Sequence, residues 1–440
     1  MTAIRIDEIR FGYEDFRYRA PFRFGGVAVD RVTLVNVHCR VSTRAGKSAV
    51  GFGSMPLGNV WAFPSRTLPY DATLSAMKAV VTRIAAEVAS FREYGHPIDV
   101  ARQLEPAIDQ AATGTVPVLA KLVCASPFDA AIHDAFGKVH GVNCYQTYGR
   151  DFLQHDLDYY LGPEYRGMHL GDFLDCAPRA NLPVNHTVGA LDPLEECDLR
   201  QRLNDGLPEL LSEWISVEGL THFKLKLNGD DLRWDVDRVV AVERAAAIAQ
   251  HLRGCAQWWY TLDFNERCRN VAYLLEFLRK LEERAPAALA RIQYIEQPTG
   301  RDLAADSGNV MHEAAKICPV VIDEALVDLE SLRLAQEMGY TGVAIKACKG
   351  QSQSLLLAAA ARHAGMFLCV QDLTCPGAAL IQSAGLAAHV PGVAAIEANA
   401  RQYVPAANAG WEERFPGIFC IQNGVMATGQ LTGPGLSAVI

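Results

Sequence analysis

The chain has 440 residues, of which 50% are hydrophobic and 21% are charged, and its formal net charge is −9. A chain of this length can bury a large core and form two or three domains, or one α/β barrel with additions. The negative charge and the absence of a dense Lys/Arg block argue against nucleic acid and anionic membranes as partners.

The twelve cysteines are scattered, and none forms a C-x-x-C pair. A disulfide framework or a zinc cluster is therefore not expected. Several, such as Cys39 and Cys369, lie in apolar runs, where a free thiol behaves as a small hydrophobe. The first residues lack the apolar core of a signal peptide, and no apolar run reaches the roughly 18–20 residues that span a bilayer. We therefore expect a cytoplasmic protein with reduced thiols.

The first 150 residues have the pattern of an α+β unit. Period-two alternation predicts antiparallel strands at 31–43 and 49–55. Two segments rich in aromatic residues, Gly and Pro are predicted to be loops, at 18–26 and 54–65. Helical periodicity predicts helices within 70–112 and 115–139.

From about residue 183 the chain alternates strand-like and helical patterns, which favours parallel strands. Eight such units in about 220 residues have the size of a TIM-type barrel. The strand-like runs are LPVNHTVG, THFKLKL, WWYTLDF, RIQYIEQ, PVVIDEA, TGVAIKA, MFLCVQD and GVAAIEA. We divide the chain into a first domain at 1–150, a barrel at 151–402 with an elaborated segment near 151–180, and a C-terminal segment at 403–440 that packs on the first domain.

Two lysines, Lys224 and Lys226, lie in the second strand-like run. They alternate with Phe223 and Leu225, so both side chains project to one face of the strand. Desolvation and mutual repulsion lower the pKa values of buried ammonium groups, which suits a general base. Lys226 is nearer the strand end and better placed to reach a substrate, with Lys224 as an electrostatic partner. Alternatively, both lysines extend to solvent.

Three carboxylates, those of Asp263, Glu296 and Asp323, end the third, fourth and fifth strands. Strand ends of a barrel meet at its mouth, where like charges would repel one another unless a cation bound them. Oxygen ligands favour Mg²⁺. Asn265 and Glu324 are expected to support these ligands through hydrogen bonds. The alternative is that each acidic residue caps the helix that follows.

Lys346 ends the sixth strand, which lies opposite the second strand in an eight-stranded barrel. Lys226 and Lys346 are therefore expected to face each other across the metal and to present a proton donor or acceptor to each face of a bound carbon atom. Lys349 is interpreted as a loop or helix-start lysine of secondary importance.

The ordered motifs K-x-K, D-x-N, E-Q-P, D-E and the sixth-strand lysine resemble those of the enolase superfamily. Within it, the chain resembles the muconate lactonizing enzyme subgroup of the mandelate racemase/muconate lactonizing enzyme-like proteins. The resemblance covers most of the chain. The stretch SPFDAAIHDAFGKVHGVNCYQTYG (126–149) is similar to the family helix that links a capping domain to the barrel, and the segments 18–26 and 54–65 match the family's cap loops in position.

This resemblance implies a modified, enolase-like barrel and an α+β capping domain that the C-terminal tail completes. It implies that Asp263, Glu296 and Asp323 bind Mg²⁺ and that Lys226 and Lys346 are the acid/base pair. The implied reaction is abstraction of the α-proton of a small carboxylate through an enediolate, as in a racemase, epimerase, cycloisomerase or dehydratase. A homo-oligomer is also implied.

The sequence departs from the family at two strand ends. The sixth reads KACKGQS where the family usually has a Gly pair, and the seventh, QDLTCPG, has no His, so a His–Asp dyad is not supported. These departures bear on the substrate and leave the predicted metal ligands and lysines in place.

Substrate contacts are expected from the cap loops and the later strand ends, although each of these residues also has a purely structural interpretation. The candidates are Phe22, Phe24, Met55 and Trp61, then Gln371, Asp372, Thr374 and Glu397, and His186 at the first strand end. Two other functions remain open. One is a Schiff-base aldolase that uses Lys226 or Lys346 as nucleophile, which leaves the three carboxylates unexplained. The other is a relative that binds ligands without catalysis.

Overall fold

Two sheets organise the chain, a three-stranded antiparallel sheet and a closed parallel barrel. The structure is a computed structural model that describes residues 2–111 and 116–438. The strands are β1 (Ile4–Phe24), β2 (Val27–Thr43), β3 (Ser48–Pro56), β4 (Asn181–Val188), β5 (His222–Lys226), β6 (Trp259–Asp263), β7 (Ile292–Glu296), β8 (Val320–Ile322), β9 (Gly342–Ile345), β10 (Phe367–Val370), β11 (Val393–Glu397) and β12 (Val425–Ala427).

The helices fall into a group before the barrel, a group that alternates with its strands and three short helices after the last barrel strand. They are α1 (Asn59–Ala62), α2 (Tyr70–Ser90), α3 (Pro97–Ala111), α4 (Val118–His140), α5 (Leu157–Leu161), α6 (Leu211–Glu218), α7 (Leu232–Leu252), α8 (Val271–Arg284), α9 (Pro286–Leu289), α10 (His312–Ala315), α11 (Leu329–Glu337), α12 (Gln351–His363), α13 (Ala378–His389), α14 (Ala400–Tyr403), α15 (Trp411–Arg414) and α16 (Pro416–Phe419).

The barrel consists of β4 to β11 in chain order, all parallel. It closes where β11 pairs with β4, with Ile396 opposite Val184 and Glu397 opposite Asn185. Each predicted strand-like run overlaps one of these strands, so the predicted TIM-type barrel with an N-terminal α+β unit is confirmed. The short strand β12 adds to the outside of β4 in the antiparallel direction.

The first sheet has the order β1-β2-β3 and is antiparallel throughout. The loop predicted at 18–26 is wrong over most of its length, because β1 continues to Phe24. Its pairing with β2 shifts between Arg17 and Phe22, so Pro21 lies in an irregular part of the ladder. Proline is tolerated there because a regular ladder hydrogen bond from its nitrogen is not required. The segment 54–65 begins in β3 and contains the helical turn α1.

Helix α4 joins the first sheet to the barrel and to the C-terminal tail. Gly53 of β3 packs so closely on α4 that a Cβ there would overlap the main chain of Pro127. The buried Asp134 carboxylate accepts hydrogen bonds from the main-chain N–H of Phe52 (2.8 Å) and of Leu436 (2.8 Å). The Asp134 side chain of α4 therefore binds both a strand of the first sheet and the C-terminal tail.

The connecting segments contain short elements that periodicity does not reveal. Residues 151–180 contain α5 and short 3₁₀ turns, and residues 189–210 are largely irregular. Arg19 of β1 forms an ion pair with Asp205 of the latter segment, which attaches that segment to the first sheet.

All twelve cysteines lie among the described residues and are free thiols, most of them buried. Between residues 2 and 438, leaving aside 112–115, there is no helix with the length and apolar character that a bilayer span requires.

A buried polar network around His133 connects α4 to α12. The imidazole Nε2 lies 2.8 Å from the Ser352 hydroxyl and 3.4 Å from the Asp129 carboxylate, and Nδ1 lies 2.9 Å from the Tyr148 hydroxyl. Burial opposes the charge of His133, but Asp129 outweighs burial and raises the pKa of His133 to about 9. A charged pair on α4 therefore contacts Ser352 of the barrel helix α12.

The raised pKa of His133 makes the stability of the fold depend on pH. Because the pKa rises from 6.5 to about 9 on folding, the stabilisation is complete below pH 6.5 and is lost as pH rises through the folded pKa. We expect the free energy of unfolding, measured by urea denaturation, to fall by roughly 3 kcal/mol over that window. Asp129→Asn should remove this fall, whereas His38→Gln at an exposed position should keep it. An equal fall in wild type and Asp129→Asn would contradict the assignment.

Candidate active site

The carboxyl ends of the barrel strands bring a dense set of buried charges together. In β5, Phe223 and Leu225 pack into the hydrophobic core, while Lys224 and Lys226 point into the barrel mouth and are buried. The parallel register places Lys226 directly opposite Asp263 of β6. Their side chains form an ion pair with an Nζ to Oδ2 distance of 2.5 Å.

Lys224 is the centre of this charge cluster. Its Nζ lies 2.9 Å from Glu296 Oε1, 3.0 Å from Glu397 Oε2 and 3.2 Å from Asp263 Oδ2, and it donates to Gln371 Oε1 at 3.1 Å. Burial lowers the pKa of Lys224, but these carboxylates outweigh burial and raise it well above its usual value. The expectation of a lowered pKa is therefore wrong for Lys224, because its nearest charges are carboxylates and not Lys226.

Lys346 follows β9 on the opposite side of the barrel from β5. Its Nζ lies 2.8 Å from Asp323 Oδ2 and donates to the main-chain oxygen of Asp372 at 3.4 Å. Burial opposes the charge, but Asp323 outweighs burial, so the pKa of Lys346 is raised rather than lowered. Lys226 and Lys346 line the same cavity, which has a volume of about 30 Å³.

The three predicted metal ligands are fully buried at neighbouring strand ends, and each one contacts lysines. Asp263 pairs with Lys226, Glu296 with Lys224, and Asp323 with Lys346. The predicted convergence of the three carboxylates on one point is not seen. Among the described residues, no three His, Cys, Asp or Glu side chains are grouped closely enough to share an ion. The Lys224 ammonium lies between Asp263 and Glu296 instead, and Asp323 is paired with Lys346.

The donor set nevertheless fits a hard divalent cation. Burial raises the pKa of Glu296 well above its usual value, and the charges of Asp263 and Asp323 add to the rise even with Lys224 beside it. Six carboxyl groups and four ammonium groups are buried in this part of the described barrel. If all are ionised, two negative charges remain in excess, which one Mg²⁺ would neutralise. The six carboxyl groups are those of Asp263, Glu296, Asp323, Glu324, Asp372 and Glu397, and the four ammonium groups those of Lys224, Lys226, Lys346 and Lys349.

Asn265 contacts the candidate ligand Asp263, whereas the hydrogen bonds of Glu324 are with Asn265 and Trp61. Asn265 donates its main-chain N–H to Asp263 Oδ1 at 2.8 Å and its side-chain amide to Glu324 Oε1 at 3.3 Å. Burial and the Asp323 charge raise the pKa of Glu324 to about 7. Buried oxygens of Asn265 (Oδ1) and Glu324 (Oε2) have no hydrogen-bond donor within the described residues, so further acceptors remain at this edge of the site.

Trp61, a predicted substrate contact, attaches the cap to the barrel. Its indole N–H donates to Glu324 Oε1 at 2.9 Å, and its main-chain oxygen accepts from Arg301 at 3.1 Å. The Lys346 ammonium lies 4.4 Å from the indole centroid, within cation–π range. Trp61 thus covers one of the two opposed lysines.

Phe22 and Phe24 cover the other lysine. The Lys226 Nζ lies 6.0 Å from the Phe22 centroid and 5.7 Å from that of Phe24. Both rings line the cavity, whereas Met55 and His186 are buried and do not line it. The cap therefore supplies an apolar roof of three aromatic side chains.

The predicted substrate contacts at the ends of β10 and β11 differ in whether they line the cavity. Gln371 bridges Lys224 and Glu296 and does not line the cavity. Asp372, Thr374 and Glu397 do line it. Burial, and then the Glu397 charge, raises the pKa of Asp372 to about 7.

Lys349 contacts a candidate metal ligand, although the sequence indicates only a loop or helix-start lysine of secondary importance. It is buried, and its Nζ donates to the main-chain oxygen of Asp323 at 2.6 Å and to its Oδ1 at 3.3 Å. A 3₁₀ turn over 347–349 brings Lys349 back to the side of Lys346. The separation of three residues between the two lysines is therefore the sequence feature that indicates this position.

The comparisons with known proteins agree with this architecture. Residues 207–440 match the family model described as enolase C-terminal domain-like. The chain belongs to this family and hence to the enolase superfamily, with the mandelate racemase/muconate lactonizing enzyme-like proteins. No curated protein matches the chain in sequence.

Solved structures with the same fold cover nearly the whole chain. The L-Ala-D/L-Glu epimerase from Bacillus subtilis has 17% identity and a TM-score of 0.66, covering 98% of each chain. The N-succinyl Arg/Lys racemase from Bacillus cereus has 18% identity and a TM-score of 0.67, covering 99% of this chain and 95% of its own. The muconate lactonizing enzyme from Pseudomonas fluorescens has 18% identity and a TM-score of 0.63, covering 99% and 96%. At these identities the likeness concerns the fold.

The Trp61–Glu324 hydrogen bond should hold the cap segment closed over the mouth. Trp61→Phe keeps an aromatic ring but removes the N–H, leaving a buried carboxyl oxygen with one donor fewer, at a cost of about 1–3 kcal/mol. We expect faster amide hydrogen exchange in residues 54–65, measured by mass spectrometry. Trp259→Phe, at a residue that is 38% exposed, is the control. Unchanged exchange in Trp61→Phe would show that this bond does not hold the segment.

Proposed function

We propose that the protein is a Mg²⁺-dependent isomerase or lyase that abstracts the α-proton of a carboxylate substrate through an enediolate. The observation that carries this proposal is the pair of buried lysines, Lys226 and Lys346, which come from opposite barrel strands and line one cavity. Membership of the enolase superfamily supports the same reaction class.

Asp263, Glu296 and Asp323 would hold the cation, supported by Asn265. When bound, Mg²⁺ would supply stabilisation of the negative charge that develops on the substrate carboxylate as the α-proton leaves. The excess of buried carboxyl groups over ammonium groups supports this assignment.

Lys226 and Lys346 would exchange protons with the two faces of the α-carbon. One lysine accepts the proton in its neutral form, and the other donates in its ammonium form. Each is paired with a candidate ligand, Lys226 with Asp263 and Lys346 with Asp323. If Asp263 and Asp323 hold the cation, their ion pairs with Lys226 and Lys346 would be weakened, which would leave both lysines freer to reach the substrate.

The aromatic roof of Phe22, Phe24 and Trp61 would exclude water from the reacting groups, which strengthens the electrostatic interactions inside. A cavity of about 30 Å³ holds about one water molecule. Substrate binding therefore requires the roof to move away from the barrel. The exact reaction, whether racemisation, epimerisation, cycloisomerisation or dehydration, depends on this region.

A Schiff-base aldolase is less well supported. Its nucleophile would be Lys226 or Lys346. The aldolase gives the three buried carboxylates Asp263, Glu296 and Asp323 no shared role. Trapping with borohydride in the presence of substrate would detect it.

The two lysines should act on opposite faces of the substrate. With Mg²⁺ in D₂O, we expect wild type to exchange the α-proton of both enantiomers of an active carboxylate, followed by NMR across a carboxylate library. Lys226→Met should slow exchange of one enantiomer, and Lys346→Met of the other, by about 10²–10⁴-fold. Lys280→Met on the surface is the control. If neither variant changes exchange of any active substrate, the assignment of the bases is wrong.

The three carboxylates should make thermal stability depend on metal. Mg²⁺ at about 100 times its Kd would stabilise the fold by about 2.7 kcal/mol, because it binds only the folded state. We expect a rise in Tm that EDTA reverses, and loss of this rise in Glu296→Gln and Asp323→Asn. Glu283→Gln, an exposed acid on α8, should keep the full rise. A Mg²⁺ effect that survives Asp323→Asn and Glu296→Gln would exclude these residues as ligands.

A further inference from the structure

Gln297 follows the candidate ligand Glu296 directly and is fully buried. Its φ of +30° lies in the left-handed region, which is disfavoured for a residue with a side chain. Strained residues of this kind persist where the surrounding structure holds them, and they cluster at functional sites. The contacts of Gln297 therefore show which neighbouring groups stabilise this backbone conformation.

The main chain of Gln297 connects two other strand ends. Its N–H donates to the oxygen of Val321 in β8 at 2.9 Å. Its carbonyl oxygen accepts from the N–H of Glu266, just after β6, at 2.8 Å. The third, fourth and fifth strands are thus linked through one residue.

The side chain of Gln297 continues the link to the fifth strand. Its Oε1 accepts from the N–H of Asp323 at 2.9 Å and of Ala325 at 3.2 Å. Its Nε2 donates to the main-chain oxygen of Thr299 at 3.1 Å. Both functional atoms of the amide are engaged, which fixes its orientation.

Asp323 is consequently held at both of its main-chain polar groups. Gln297 accepts from its N–H at 2.9 Å, and the Lys349 ammonium donates to its carbonyl oxygen at 2.6 Å. The main chain that carries the Asp323 carboxylate is therefore fixed in orientation. Such outer contacts orient ligand side chains and affect metal affinity.

We propose that Gln297 is a positioning residue that sets the main chain of Asp323 relative to the ends of β6 and β7, so that the three carboxylates can bind one divalent cation. This inference rests on the proposed function, because it takes Asp323 as a metal ligand. Gln297 does not line the cavity, and both functional atoms of its amide are engaged by main-chain groups.

The test compares Gln297→Met with a matched variant, Gln250→Met. Gln250 is also fully buried, and its amide donates to the oxygen of Leu220 at 2.7 Å and accepts from Arg253 at 2.9 Å, at the other end of the second strand. Both variants remove a buried amide of similar size, so both should lower Tm. Only Gln297→Met alters the surroundings of Asp323.

Mg²⁺ affinity, measured by calorimetry on the whole protein without substrate, should fall about 10–100-fold in Gln297→Met and stay at the wild-type value in Gln250→Met. Amide hydrogen exchange should rise at 323–325 only in Gln297→Met. If Gln297→Met does not fold, Gln297→Asn, which shortens the side chain, is compared with Gln250→Asn in the same way.

The outcomes separate this inference from the proposed function. Wild-type Mg²⁺ affinity in a folded Gln297 variant overturns the positioning role and leaves the proposed metal site standing. An equal loss of affinity in the Gln250 variant also overturns it, because a general loss of stability then explains the effect. A wild-type protein that binds no Mg²⁺ overturns both proposals.

Discussion

The structure depends on the compensation of buried charges at the mouth of the barrel. Isolated ionised groups are very costly to bury, and a pair is tolerated only when its geometry is good. Here Lys224 contacts carboxylates from three different strands, and Lys226 and Lys346 each contact one. The strand register makes this possible, because Lys226 lies opposite Asp263, and Asp263 opposite Glu296. A slip of one residue would turn these side chains to the other face.

The cap makes these charges interact more strongly. Trp61, Phe22 and Phe24 cover the lysines, and the hydrogen bond from Trp61 to Glu324 attaches the cover to the barrel. Excluding water lowers the local dielectric constant and strengthens every ion pair inside. The first sheet, α4 and the C-terminal tail, joined at Asp134, hold that cover in place. Fold and site are therefore coupled through a small number of polar contacts between the cap and the barrel.

Much of the site follows from local sequence pattern. Period-two alternation predicts Lys224 and Lys226 on one face of a strand, and the acidic residue at each of three successive strand ends predicts Asp263, Glu296 and Asp323 at the mouth of the barrel. Other features did not follow. The pKa of Lys224 was expected to fall because Lys226 is close in sequence, whereas its spatial neighbours raise it. The sequence does not reveal the strand at 18–24, because Pro21 and the glycines that follow at 25 and 26 are typical of loops. The pairing with β2 that overrides this pattern is a tertiary effect.

The sequence by itself determined the barrel, the order of its strands and the charged residues at the ends of the second to sixth strands, because side-chain alternation and strand–helix spacing are local properties of a chain. The tertiary structure decided which charges meet. Glu397 and Lys224 are 173 residues apart and form an ion pair of 3.0 Å. Gln297 binds the main chain of Asp323. Electrostatic and hydrogen-bond energies depend on distances of a few ångströms between such groups, and those distances exist only after the barrel has closed.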